Sequence, residues 1–255
     1  MSEYLSILAE IIIMCLEYAR KSWEVYIKNP MPFLWAIVLT GLIQASGSAL
    51  TSLFIFGSPF AIFSESISSE TIAEMPGLGF GVAFMILTVV IVLIMNTGIY
   101  GMAAESLKKK TSLATMARTI NSKWAYAILA NVIILMIAII AAFPAIMVML
   151  SPLEGTYLVL AMALSGLFLL GIVILFALVY PALIESKSAV QAVKLSVYVV
   201  RRNYIQAVLL IAFFLLLSSI ISIIPLIGQV IAVLVIMPCS SIALTYFYQK
   251  NKKKS

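Results

Sequence analysis

Glu105 and Glu185 are the residues whose type and placement come closest to chemistry. Each closes an apolar stretch, within YGMAAES at 100–106 and YPALIES at 180–186, and each is followed by a serine and a basic segment. Two carboxylates in equivalent positions suit a cation site or a gate, and with a divalent metal they would suit an enzyme acting on lipid headgroups. The plainer expectation is that each carboxylate caps the first turn of the helix that follows it, an arrangement favourable by about 0.3–1 kcal/mol. Tyr100, Tyr180 and Pro181 belong to the same two segments and join them as candidate structural or gating positions.

Little else in the chain is reactive. It contains no histidine and no aspartate, which removes the usual zinc ligand sets, imidazole–carboxylate bases and serine triads. Cys15 and Cys239 sit in apolar surroundings far apart and read as small apolar residues. There is no phosphate-binding glycine loop and no nucleophile elbow. The expectation is therefore a protein without catalytic residues, cofactor or metal.

Uncharged polar residues inside the apolar stretches offer a different kind of site. Gln44, Asn96, Asn131, Ser218 and Ser240 are candidates for a solute path, as a permease or channel-like subunit would need. No carboxylate lies among them, which argues against proton coupling. In GLIQASGSALTS the small residues Gly41, Ala45, Gly47 and Ser48 suit close helix approach, the more ordinary reason for such residues in lipid. Pro144 and Pro238 should bend their helices and release carbonyls that need partners inside the bundle.

The elements that position these residues follow from hydropathy. Of 255 residues 64% are hydrophobic and 10% charged, and the mean hydropathy is +1.16, where an ordinary soluble domain is about half apolar and about a quarter charged. Six stretches, 32–56, 79–103, 124–150, 158–184, 204–223 and 226–248, reach the roughly 20 apolar residues that a membrane crossing requires. The connections 57–78 and 151–157, and the turn around Pro225, hold no Lys or Arg. All sixteen basic residues fall on the other side, so the positive-inside rule places both termini in the cytoplasm of a multi-pass cell-membrane protein. Glu65, Glu70, Glu74 and Glu154 lie outside, and Thr71 with Glu74 fits a capping box.

Ahead of the first stretch, Glu3, Glu10, Glu17 and Glu24 recur every seven residues opposite Leu5, Leu8, Ile12, Leu16, Ala19 and Trp23. This predicts an amphipathic helix from Glu3 to Lys28 lying in the cytoplasmic interface, with Glu17–Lys21 and Glu24–Lys28 pairs. The basic segments between stretches two and three and between four and five show the same helical periodicity. Aromatic Trp124 and Tyr204 each stand nineteen residues after the corresponding glutamate. The expected fold is all-α, with three parallel repeats of an interfacial helix and a transmembrane hairpin in one integral membrane domain. The N-terminal helix occupies 1–30, the first hairpin 31–103, the second repeat 104–184, the third 185–249 and a basic tail 250–255.

The fourth stretch ending in Tyr-Pro, the following IESKSAVQAVKLSVYVVRRNY, then Pro238 and the aromatic cluster Tyr246, Phe247 and Tyr248 resemble a broad group of six-span prokaryotic membrane proteins. That group includes the YciC-like proteins and the membrane region of some glycerophosphodiester phosphodiesterases. The resemblance implies a six-span fold and no shared biochemical activity; the phosphodiesterase domain has no counterpart in this chain. Membrane lipids, with anionic headgroups at the inner face, are the expected partners, and another protein or a second copy is a further candidate. The basic charge is already required by topology, so it does not imply nucleic acid. The expected role is non-enzymatic, handling lipid or assisting other membrane proteins, with transport as the alternative.

Overall fold

Asn29 and Pro30 set the first joint of the chain. Asn29 turns the backbone, donating its N–H to the Tyr26 carbonyl, and Pro30 opens the next helix, where a missing N–H costs nothing. The structure, a computed structural model, describes residues 2–56, 78–149, 156–225 and 227–252. The order is α1 (Ser2–Lys28), α2 (Pro30–Phe56), α3 (Leu78–Ser106), α4 (Leu113–Met149), α5 (Thr156–Phe176), α6 (Val179–Glu185), α7 (Ala189–Arg202), α8 (Tyr204–Ser222) and α9 (Ile227–Ile231). A π-helical turn, Ala232–Ile236, then leads into α10 (Met237–Lys252). No strand occurs among the described residues. Among the described residues six helical segments are long and apolar enough to cross a membrane, as the hydropathy predicts. Glu65, Glu70, Glu74, Glu154 and the Thr71–Glu74 capping box lie outside the described residues.

α3 sits at the centre, packed against α2 and α4 along its length and touching α6 and α10. Missing side chains permit that closeness. A Cβ added to Gly47 of α2 would come within 2.0 Å of Thr88, and one added to Gly101 of α3 within 2.3 Å of Thr119 on α4. The buried core lies toward the helix ends that carry the basic residues and includes Tyr18, Phe33, Met102, Leu178, Leu183, Ile242, Phe247 and Tyr248. Cys15 and Cys239 are free and buried, and burial pushes the Cys15 thiol up, in keeping with a packing role.

Three departures from the sequence expectations have physical causes. First, the basic segment between the second and third spans is no separate interfacial helix. Lys108, Lys109 and Lys110 lie in the connection ahead of α4, while Arg118 and Lys123 lie in the opening of this 37-residue helix, about 55 Å long, because no Pro or Gly interrupts the chain between Leu113 and Trp124. Pro144 also falls within this one helix.

Second, the fourth span breaks at Ala177 and Leu178, four and three residues before Pro181. Proline cannot donate to the carbonyl at i−4 and its ring collides with it, so α5 stops and α6 starts afresh. Third, α1 buries Cys15, Tyr18, Ser22, Val25 and Tyr26 against the bundle. The helix is thus docked and not only laid in the interface, and of its predicted apolar face Leu16 and Trp23 remain about half exposed. Glu24 bonds Arg20 at 2.9 Å and Glu17 bonds Lys250 at 3.1 Å, replacing the predicted pairs with Lys28 and Lys21. Glu3, Glu10, Leu5, Leu8 and Ile12 lie outside the described side chains.

Candidate functional site

Tyr100 and Tyr180, the matching aromatics of the two related segments, stack face to face with ring centroids 5.3 Å apart and planes 6° from parallel. The Tyr180 hydroxyl donates to Asn131 Oδ1 at 3.2 Å, while Asn131 Nδ2 donates to the Ala127 carbonyl at 2.8 Å. Tyr100 approaches Ser241, whose hydroxyl donates to the Met237 carbonyl at 3.0 Å. Residues from α3, α4, α6 and α10 thus meet in one partly buried polar cluster. All its groups are neutral donors and acceptors at ordinary pH, suited to fixing helix positions and not to acid–base work.

Pro238 and the break between α5 and α6 leave carbonyls without a helical donor, and the two amphipathic helices bond them. In an unbroken helix residue 238 would donate to the Leu234 carbonyl, but Pro238 has no N–H, and the π-turn just before it relieves the ring's clash with that carbonyl. The Tyr26 hydroxyl of α1 donates to Leu234 at 3.0 Å. The break ahead of Pro181 likewise frees the Leu175 carbonyl, and the Ser196 hydroxyl of α7 donates to it at 2.8 Å. Each amphipathic helix is therefore pinned to a defect in a span.

The two glutamates do not converge. Glu105 Oε2 accepts hydrogen bonds from Thr111, at 3.1 Å, and from Thr115 in the first turn of α4, and Oε1 pairs with Lys109 at 3.2 Å. It does hold the start of the following helix, through side chains. Glu185 instead pairs with Lys252 at the end of α10. The cap of α7 is Ser188, which accepts from the Gln191 N–H at 3.2 Å. Ser188-x-x-Gln191 is a capping-box spacing and was readable in the sequence. Among the described residues no group of three or more His, Cys, Asp or Glu could hold a metal.

A cavity of about 640 Å³ opens between α7 and the spans beside it. Ile137 of α4 and Phe176 of α5 form its apolar wall together with Val193 and Val197. Lys194, Arg201 and Arg202 line it from the polar side of α7, with Tyr198 between them. α7 is amphipathic enough to supply both: Ala189, Ala192, Val193, Ser196, Val199 and Val200 are buried, while its cations are exposed. Neither the cavity nor its cations as a group was evident from sequence, since Ile137 is 56 residues before Val193 and only the fold joins them.

The predicted polar path divides. Gln44 lines a cavity of about 290 Å³ between α2 and α3, Asn131 belongs to the tyrosine cluster, and Ser218 and Ser240 share a separate cavity of about 270 Å³ between α8 and α10. Asn96, half-buried on α3, lines neither cavity. Gln44, Asn131 and the Ser218–Ser240 pair thus stand in three separate surroundings. Searches against protein-family models, curated proteins and solved structures give no match for the chain.

Proposed function

We propose that this chain is a non-enzymatic protein of the cell membrane, with both termini cytoplasmic, that binds anionic lipid in the cavity beneath α7. The carrying observation is an apolar cavity rimmed by Lys194, Arg201 and Arg202. An acyl chain fits the wall of Ile137, Phe176, Val193 and Val197, and a headgroup phosphate fits the cations, each worth about 1 kcal/mol near an anionic surface. The volume lies in the range of ligand pockets, about 300–1,000 Å³. The separated polar residues favour this reading over a permease.

The three-unit organisation is part of the same proposal. It is supported by the matched Tyr, Glu and Ser positions of 100–106 and 180–186, and by the stacking of Tyr100 on Tyr180. In it α1 and α7 are the lipid-facing arms of two units, and resemblance to the YciC-like group is consistent with such a plan. A role in assisting other membrane proteins would then operate through lipid held at these arms.

Native mass spectrometry of the purified protein, titrated with phosphatidylglycerol or phosphatidylcholine, tests the binding. Phosphatidylglycerol should be retained preferentially, and Lys194→Gln with Arg201→Gln should weaken it by about thirtyfold. Equal retention of both lipids, or unchanged binding by the double variant, would overturn the proposal.

A further inference from the structure

α2 presents a second surface that the lipid-binding reading does not use. Gly41, Gln44, Ala45 and Ser48 follow one another at helical spacing on one face and all are exposed. By sequence Gln44 stands near the middle of the span, where lipid tails offer its amide no hydrogen bond and an unmet polar group is costly. Glycine inside a helix costs about 1 kcal/mol relative to alanine. At Gly47 the fold uses the missing side chain, since Thr88 fills the space. At Gly41 an added Cβ would meet nothing within 4 Å, so nothing within the chain uses the room it leaves.

Beside this face lie two hydroxyls that the chain itself leaves unmet. Thr40, Thr88 and Thr97 each donate to the carbonyl four residues back. Thr51 and Ser52 are buried and make no hydrogen bond. Thr51, unpartnered and buried, borders the same cavity as Gln44, Ser48 and Thr88, so this side of α2 carries several polar groups that the chain does not pair with one another.

We propose that two copies of this chain pair through the α2 face of Gly41, Gln44, Ala45 and Ser48, each Gln44 amide hydrogen-bonding that of the other copy. A primary amide carries both a donor and an acceptor, so two identical faces related by a twofold axis satisfy each other. Lipid tails supply neither, which selects a protein helix as the occupant. Gly41 and Ala45 have the small-x-x-x-small spacing that lets two backbones approach closely enough for the amides to meet.

Disulfide trapping in lipid vesicles tests the face. In a Cys15→Ala, Cys239→Ala background, Ala45→Cys and Ser48→Cys should give cross-linked dimers on mild oxidation, whereas Leu39→Cys and Leu50→Cys, on the far side of α2, should not. Failure at all four positions, or equal cross-linking from both sides, overturns the proposal. So does trapping in native membranes of a different polypeptide in place of a second copy.

A second measurement keeps both native cysteines. Exchange between donor- and acceptor-labelled wild-type copies in vesicles should show energy transfer, Gln44→Leu should weaken association about three- to tenfold, and Gln44→Asn should retain most of it. Indifference to Gln44→Leu would count against the amide pair. Lys194→Gln, which bears on the lipid cavity, should leave the dimer unchanged, so the two proposals fail separately.

Discussion

Tyr26 closes with one hydroxyl a gap that Pro238 opens more than two hundred residues away. Leaving the Leu234 carbonyl unmet in a partly buried site costs about 1 kcal/mol, so Tyr26→Phe should destabilise the protein by that amount in denaturant titration in detergent. Tyr198→Phe, on an exposed face, should change stability by less than about 0.5 kcal/mol. If the missing N–H is the cause, Pro238→Ala should restore a donor to Leu234, and much of the loss should vanish in the double variant. Additive losses in that cycle would show that Tyr26 acts by packing alone. The sequence announced that Pro238 would free a carbonyl, yet nothing local to either residue could name Tyr26 as its partner. The Tyr100–Tyr180 stack was foreshadowed by matching segments, but a match in sequence does not say that the two rings touch.

At the scale of elements, α7 is held at two points. Ser188 caps its first turn, and Ser196 ties its middle to the break in the fourth span. Ser196→Ala should free the Leu175 carbonyl and raise hydrogen exchange of the amides at 189–202 about tenfold, with those of α3 unchanged. Uniform acceleration across the bundle would mean that Ser196 supports global stability and not the docking of α7. The amphipathic character of α1 and α7 was legible because it depends only on spacing along each helix. Which face of α1 docks was not. Tyr18 packs between Tyr246 and Phe247 and faces Asn251, and those neighbours outweigh the simple split between acidic and apolar faces. The continuity of α4 was missed for a related reason: a basic segment that topology requires inside reads as interfacial, although nothing in it breaks a helix.

Taken whole, the molecule is tightly packed at one end and open at the other. The ends carrying Lys and Arg hold the buried residues from Leu178 to Leu183 and from Ile242 to Tyr248, while Leu135, Leu167 and Leu216 lie more than half exposed elsewhere on the spans. Because lipid is as apolar as leucine, these exposed side chains gain little from pairing with one another and take their contacts from the bilayer. The six spans were readable for the same reason that they are stable in lipid: each is a long apolar run with its charges confined to the ends. The distribution of cations is the basis on which we propose that the packed end is the cytoplasmic one. Single-cysteine labelling in intact cells, after both native cysteines are replaced by alanine, decides this. Lys109→Cys and Lys187→Cys should react with a membrane-impermeant maleimide only after permeabilisation, and Glu74→Cys should react before it. Labelling of Lys109→Cys in intact cells would invert the molecule and place the lipid cavity beneath α7 at the outer leaflet.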